Sequence, residues 1–231
     1  MTNDKGTFGE YTASTSPRDH PATQAMKESV QEIIQQLIHS VDLQSSKFQL
    51  AIVCTMFNPI FWNIVARMEY HKHSLTKMCG GARKGCYMLA ATIFSLGIVR
   101  DMVYESALRE QPTCSLITGE NWTKLGVALF GLGQVLVLSS MYKLGITGTY
   151  LGDYFGILMD ERVTGFPFNV SNNPMYQGST LSFLGIALYK GKPAGLVVSA
   201  VVYFMYKIAL RWEEPFTAMI YANRDKAKKN M

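Results

Sequence analysis

Charge is scarce where this sequence is most apolar. Only 17% of its 231 residues are charged, and stretches about as long as a bilayer is thick carry none, which excludes an ordinary soluble globule. Cysteine is equally sparse. Cys54, Cys79, Cys86 and Cys114 are the only thiols. They form no CxxC and no zinc spacing, so a disulfide framework and a zinc module are excluded and small apolar fillers remain. The first residues lack the basic start and apolar core of a secretory signal. There is no basic stripe of the kind that follows a phosphate backbone, which excludes nucleic acid as a partner. The net charge of +5 comes instead from basic residues set beside apolar runs, a membrane-face pattern. His71 and His73 form an HxH in a basic loop without further ligands nearby, so they read as solvated or headgroup-facing residues rather than a metal site.

What is present is organised by those runs. Residues 1–25 are rich in Thr, Ser, Pro and charge and read as a disordered leader or an added extension. Residues 26–231 read as one membrane domain. From Met26 to Val41, the residues Val30, Ile33, Ile34, Leu37, Ile38 and Val41 recur at helical spacing opposite Gln, Glu and Lys, which predicts an amphipathic helix at the interface or packed on the spans. Phe48–Ala66 and Leu125–Tyr142 are each about one bilayer long, and Cys86–Val99 continues toward Tyr104 with no charge before Arg100. The last block, Tyr176–Leu210, is too long for one span. It is broken at Lys190-Gly191-Lys192-Pro193-Ala194-Gly195, which predicts a helical hairpin with two rather short arms. The fold class is therefore all-α: a polytopic membrane helical bundle of four to five spans, with a C-terminal hairpin and an N-terminal amphipathic helix.

Charge orients the stack. The loop Arg67–Gly85 holds five Lys or Arg against one Glu, and the tail from Arg211 adds Arg224, Lys226, Lys228 and Lys229. The segment Asp101–Thr123 is acidic, with Asp101, Glu105, Glu110 and Glu120 against Arg109 alone. Five crossings, with residues 26–47 outside, put both basic segments in the cytosol. The sequon Asn121-Trp122-Thr123 then faces the lumen, and Asn169-Val170-Ser171 is a chance match.

Three features stand out chemically. The segment from Lys143 to Gln177 alternates glycines with aromatics and a few carboxylates. That composition suits a segment folding over helix ends better than a linker. Glu213 and Glu214 sit near the end of an apolar helix, where paired acids either have partners or mark an ordinary terminus stopped by Pro215. Gly131-Leu132-Gly133 lies inside the third span. By itself it favours close helix packing over cofactor contact, and it is no Rossmann fingerprint because no strand precedes it. Along the helix it lies about 13–17 Å from the cytosolic end, deep for a polar cofactor.

Taken together, GLG at 131–133, GTYLGDYFGIL, FPFN, NPMYQGS and the closing EEPF resemble the phosphatidylethanolamine N-methyltransferase family, and FNPIFWNIVARMEY resembles its first span. The likeness covers roughly residues 48–221, and from Met26 onward the chain looks like the fungal branch that carries out the later methylations. It implies transfer of methyl groups from S-adenosylmethionine to the headgroup amine of mono- and dimethyl phosphatidylethanolamine, giving phosphatidylcholine, with no metal. By the same likeness Gly131, Leu132, Gly133, Tyr176, Glu213 and Glu214 would hold the cofactor. The related isoprenylcysteine methyltransferases use an HPxY loop. Here the matching stretch is Asn173-Pro174-Met175-Tyr176, without the histidine.

Methyl transfer to nitrogen needs alignment, desolvation and an acceptor for the ammonium proton. Asp153 and Glu214 are the expected acceptors, with Glu161 behind them. Tyr150, Tyr154 and Asn173 are the expected substrate contacts. Aromatic faces suit soft cations, and Phe155, Phe168 and Trp212 extend that set, although each is equally an interfacial belt residue. The phospholipid is expected to reach the site sideways from the bilayer. A prenylcysteine methyltransferase, a sterol reductase and a non-enzymatic scaffold are the rival readings. The resemblance implies the endoplasmic reticulum membrane, with mitochondria-associated membrane as a second location, and Lys226-Ala227-Lys228-Lys229-Asn230 looks like a dilysine signal displaced by Met231. Nothing in the sequence sets the oligomeric state.

Overall fold

The computed structural model describes residues 21–161 and 163–229. Among them lie seven α-helices and no strand: α1 (Pro21–His39), α2 (Ser46–Lys72), α3 (Ser74–Cys79), α4 (Ala82–Glu110), α5 (Glu120–Thr149), α6 (Pro174–Tyr189) and α7 (Pro193–Lys229). Helices α2, α4, α5 and α7 are each long and apolar enough to cross a membrane, and α6 pairs with α7 as a hairpin. The protein is an all-α, multi-pass membrane bundle. Helix α1 begins ahead of the expected Met26 boundary, at Pro21, and residues 1–20 lie outside the described set. Its apolar side, including Met26, Val30, Ile33, Ile34 and Ile38, is exposed, as suits a helix lying in the interface rather than packed on the spans.

The bundle is inverted relative to a soluble one. Phe57 and Ile64 on α2, Phe94 and Ile98 on α4, Leu132 and Leu138 on α5 and Phe204 and Ile208 on α7 are exposed, so an apolar girdle faces outward. Small residues and aromatics face inward. Helices α5 and α6 meet backbone to backbone through glycine. A Cβ on Gly126 would stand 2.6 Å from the Gly185 carbonyl oxygen, and one on Gly133 would stand 2.5 Å from the Gly178 carbonyl oxygen. Such proximity is how membrane helices gain dispersion contact without a hydrophobic driving force. Around the hairpin, Trp62, Tyr104, Phe183, Val198, Val202 and Tyr206 form one buried cluster, in which the Tyr104 hydroxyl donates to the Phe183 carbonyl at 2.9 Å.

One end of the bundle, the hairpin-turn end, is tied by polar contacts between elements. Lys190 pairs with Glu105 at 2.6 Å, and Lys192 donates to the Gln111 carbonyl at 2.5 Å. The buried Gln111 amide bridges Asp42 in both directions at 2.8 Å. The Cys114 N–H donates to the Gly191 carbonyl at 3.0 Å, and Lys47 pairs with Glu110 at 2.5 Å. The basic loop closes the other end. Glu69, fully buried, caps α3 by accepting from the Leu75 N–H at 2.6 Å and from Thr76.

Two expectations are corrected. The hairpin arms are unequal: α6 has 16 residues and α7 has 37. Pro215 does not stop α7, which runs through it to Lys229, so Glu213 and Glu214 are mid-helix residues rather than a terminus. Membrane helices tolerate an internal proline because neighbouring groups answer the freed carbonyl. The second apolar run does continue past Arg100 toward Tyr104, and α4 extends to Glu110.

Candidate active site

At the basic-loop end, α5 breaks at Gly145, whose φ of +64° admits glycine and few others. The chain then turns through the 3₁₀ segment Gly152–Phe155, which packs on α2, α4, α5 and α7. This is the Gly-aromatic segment of the sequence, folded over the helix ends as expected. Tyr154 is buried and stacks on Phe216 at 5.0 Å between centroids. Phe155 is buried beside Gly85, and Asp153 accepts from the Thr217 hydroxyl at 2.8 Å.

The NPMY stretch opens α6 with Pro174 at its first turn, where a missing N–H costs nothing. It reaches across to α7 at two adjacent points. The Tyr176 hydroxyl donates to Glu213 Oε2 at 2.5 Å, and Asn173 Nδ2 donates to Glu214 Oε1 at 2.9 Å. Glu213 is 9% exposed, and its Oε1 accepts from Trp62 Nε1 and from Asn63 Nδ2, both at 2.7 Å. Three neutral donors therefore hold this carboxylate, and among the described residues no lysine or arginine pairs with it. A buried charge held only by neutral dipoles keeps most of its attraction for a cation. Adjacent residues on a helix point apart, so Glu214 faces outward while Glu213 faces in.

Three cavities meet here. One, of about 350 Å³, is bounded by Phe94, Ile98 and Leu138 on the outward side of α4 and α5 and reaches Trp62, Tyr176 and Tyr206 inside. A second, of about 920 Å³, is a bowl in which Asp160, Asn173, Glu214 and Arg224 stand among Val163 and Phe168. The third, of about 280 Å³, lies between them and holds Asp153, Tyr176, Glu213 and Thr217. Thr149, Leu151, Met175 and Tyr176 line both the first and the third, and Asn173, Thr217 and Tyr221 line both the second and the third. The path thus runs from the charged residues of the bowl, past Glu213, to a groove rimmed by outward-facing apolar side chains of α4 and α5. One polar atom along it, Thr149 Oγ1, is buried without a partner.

Of the residues singled out in the sequence, Asp153, Asn173, Tyr176, Glu213 and Glu214 come together along this path. Tyr150 lines the groove, and Phe168 lines the other two cavities. Tyr154 lines none of the three, and Trp212 is half exposed on the outside of α7. Glu161 lies in the bowl. Gly131 and Leu132 face outward, and Gly133 lies in the α5–α6 contact, so none of the three lines these cavities. Trp62 and Asn63 join the site from within the first span, where the sequence marks them only as part of an apolar run. The signal for them was the polar-capable set Asn58, Trp62 and Asn63 inside an apolar run. Among the described residues no group of three His, Cys, Asp or Glu gathers as a metal site requires.

The model of the phospholipid methyltransferase family matches residues 122–224. The phosphatidyl-N-methylethanolamine N-methyltransferase of Emericella nidulans is 58% identical over 188 residues, 81% of this chain and 92% of that protein. Its Schizosaccharomyces pombe counterpart is 55% identical over 189 residues, 80% of this chain and 96% of that one. The human phosphatidylethanolamine N-methyltransferase is 44% identical over 188 residues, 81% and 94% of the two chains. No solved structure gives a significant match.

Proposed function

The chain belongs to the phospholipid methyltransferase family, and on that premise we propose that it methylates phosphatidyl-N-methylethanolamine and phosphatidyl-N,N-dimethylethanolamine to phosphatidylcholine, using S-adenosylmethionine. Phosphatidylethanolamine itself is a further candidate substrate. The observation that carries this reading is the path of cavities: through the central cavity, a bowl bearing charged residues and a groove rimmed by apolar side chains meet at Tyr176 and at a buried carboxylate that has no counter-cation among the described residues.

The polar path fits such a donor. Glu213 offers a fixed negative charge to a cationic group, and Thr149 Oγ1, on the wall of the first and third cavities, is a buried polar atom in want of a partner. Glu214, Asn173 and Tyr176 supply further polar contact toward the bowl. When bound, S-adenosylmethionine supplies a methyl group already activated on a sulfonium, so the protein's task is alignment and desolvation. Of Gly131, Leu132 and Gly133, the last alone lies in the α5–α6 contact, and a role for it would act by holding Gln134 and Val137 against the groove.

The amine attacks only after losing its proton. Of the two expected acceptors we assign Asp153, which shares the central cavity with Tyr176 and Glu213. Its hydrogen bond from Thr217 fixes the carboxylate orientation. Glu214 then serves the donor at the bowl. Tyr176, Trp62 and Tyr206 form a continuous aromatic wall, with centroid separations of 4.7 to 6.5 Å, against which a methylated ammonium is held by cation–π attraction. The endoplasmic reticulum membrane, with mitochondria-associated membrane beside it, is the proposed location.

The test is transfer of labelled methyl from S-adenosylmethionine by purified protein in lipid, with ethanolamine phospholipids carrying zero, one or two N-methyl groups. Label in the di- and trimethylated lipids is the expected result. Label in a prenylcysteine acceptor and in none of the phospholipids overturns the assignment.

A further inference from the structure

One charged pair inside the membrane has no part in that mechanism. Arg100 lies ten residues from the nearer end of α4, roughly 15 Å along the axis. A cation at that depth is costly and is retained where it meets a partner or a cavity. Its guanidinium, 12% exposed, lies in the wall of the lipid-facing groove. One Nη donates to the Tyr206 hydroxyl at 2.9 Å, and the group lies 4.9 Å over the Phe183 ring. The other Nη contacts Asp101 at 2.8 Å. That carboxylate is 59% exposed and lines the same groove. An interhelical lock would bury both partners. Here the cation is fixed by Tyr206, while its anion stands at the open side where another anion could replace it.

Resting on the methyl-transfer reading, we propose that Arg100 is the anchor for the phosphodiester of the lipid substrate, with Asp101 as the carboxylate the phosphate displaces. A continuous line of contacts along the groove supports this. From Arg100 the contacts run to Tyr206 at 2.9 Å, from the Tyr206 ring to the Tyr176 ring at 4.7 Å, and from Tyr176 to Glu213 at 2.5 Å. A phosphate on Arg100 therefore leaves the short ethanolamine arm to extend along the aromatic wall toward the junction of the cavities. Ser179, whose Oγ lies 3.1 Å from the Tyr206 hydroxyl, adds a donor beside the guanidinium. The acyl chains leave between α4 and α5, past Phe94, Ile98 and Leu138. Planar bidentate recognition of phosphate is the chemistry arginine performs better than lysine.

The experiment compares wild type, Arg100→Lys and Arg100→Gln on two acceptors: phosphatidyl-N,N-dimethylethanolamine, and a diacylglycerol ether carrying the same dimethylaminoethyl arm without phosphate. Affinity for S-adenosylmethionine is measured directly in each variant as a check on folding. For Arg100→Gln the apparent KM for the phospholipid should rise roughly tenfold to a hundredfold, the loss expected for a hydrogen-bonded charge. Cofactor affinity should hold, and Arg100→Lys should fall between. Wild type and Arg100→Gln should be equally slow on the phosphate-free lipid. An equal loss on both lipids, or a fall in cofactor affinity with Arg100→Lys as well, overturns the phosphate anchor alone. A wild type inactive on every ethanolamine lipid overturns the methyl-transfer reading and the anchor with it.

Discussion

The two ends of the bundle use their polar residues in opposite ways. At the hairpin-turn end, Lys190, Lys192, Gln111, Asp42 and Glu105 bind one another or backbone carbonyls from different elements. At the basic-loop end, Glu213 is held among the described residues by neutral donors alone, and Thr149 Oγ1 on the wall of the same cavity lacks a partner. Both ends pack around the same helices, so the contrast is one of purpose. Polar groups that satisfy each other fix a structure, and polar groups left facing a cavity are poised for a ligand.

The sharpest way to break this contrast is Glu213→Gln. Glutamine's carbonyl keeps an acceptor for Trp62 and Asn63, its amide donates to the Tyr176 hydroxyl in place of accepting from it, and the charge is lost, so thermal stability should change little. Turnover with labelled S-adenosylmethionine should fall about a hundredfold or more, by analogy with other lost electrostatic contacts. A variant with normal turnover removes Glu213 from the site. Glu214→Gln, exposed at the bowl, should cost less.

Next in size is Gly126→Ala, whose new Cβ would sit 2.5 Å from the Tyr189 nitrogen. Overpacking against backbone should cost about 1–3 kcal/mol, read as a lower unfolding temperature in detergent with an unchanged KM for the donor. Gly133→Ala meets the Gly178 carbonyl and should behave alike. Gly131→Ala meets nothing within 4 Å and should be silent; if it instead abolished donor binding at normal stability, the cofactor would touch the glycines directly.

At the turn end, Gln111→Ala removes both bonds to the Asp42 backbone and with them a tie between α4 and the segment before α2. It should lower stability by about 2 kcal/mol with activity per folded molecule unchanged. Lys47→Ala breaks a half-exposed pair and should shift unfolding by less than about 1 kcal/mol. A loss of activity from either, out of proportion to stability, would join the two ends functionally and erase the contrast.

The spans and the hairpin break were legible because hydropathy reports length directly, and Gly191 and Pro193 mark a turn by backbone chemistry. The acidic pair was legible because carboxylates in an apolar block demand explanation. Rotation about each helix axis was not. Leu132 and Gly133 are neighbours in sequence, yet one faces lipid and the other a helix. Tyr150 and Tyr154 look alike in the chain, but only Tyr150 reaches the groove, because the 3₁₀ turn presses Tyr154 onto Phe216. The run past Arg100 toward Tyr104 is legible in the sequence, but the partners that hold the guanidinium there, Tyr206 and the Phe183 ring on other helices, are not.

The groove and the bowl are separate cavities joined by a third around Tyr176 and Glu213, and we read the groove as the lipid's entrance and the bowl as the water-soluble donor's. On the proposed reading this fixes the order of exchange. The spent donor can leave through water while the lipid stays docked from the bilayer. Successive methylations of one headgroup then need no return of the partly methylated lipid to the membrane, and the intermediate should accumulate less than independent encounters would produce.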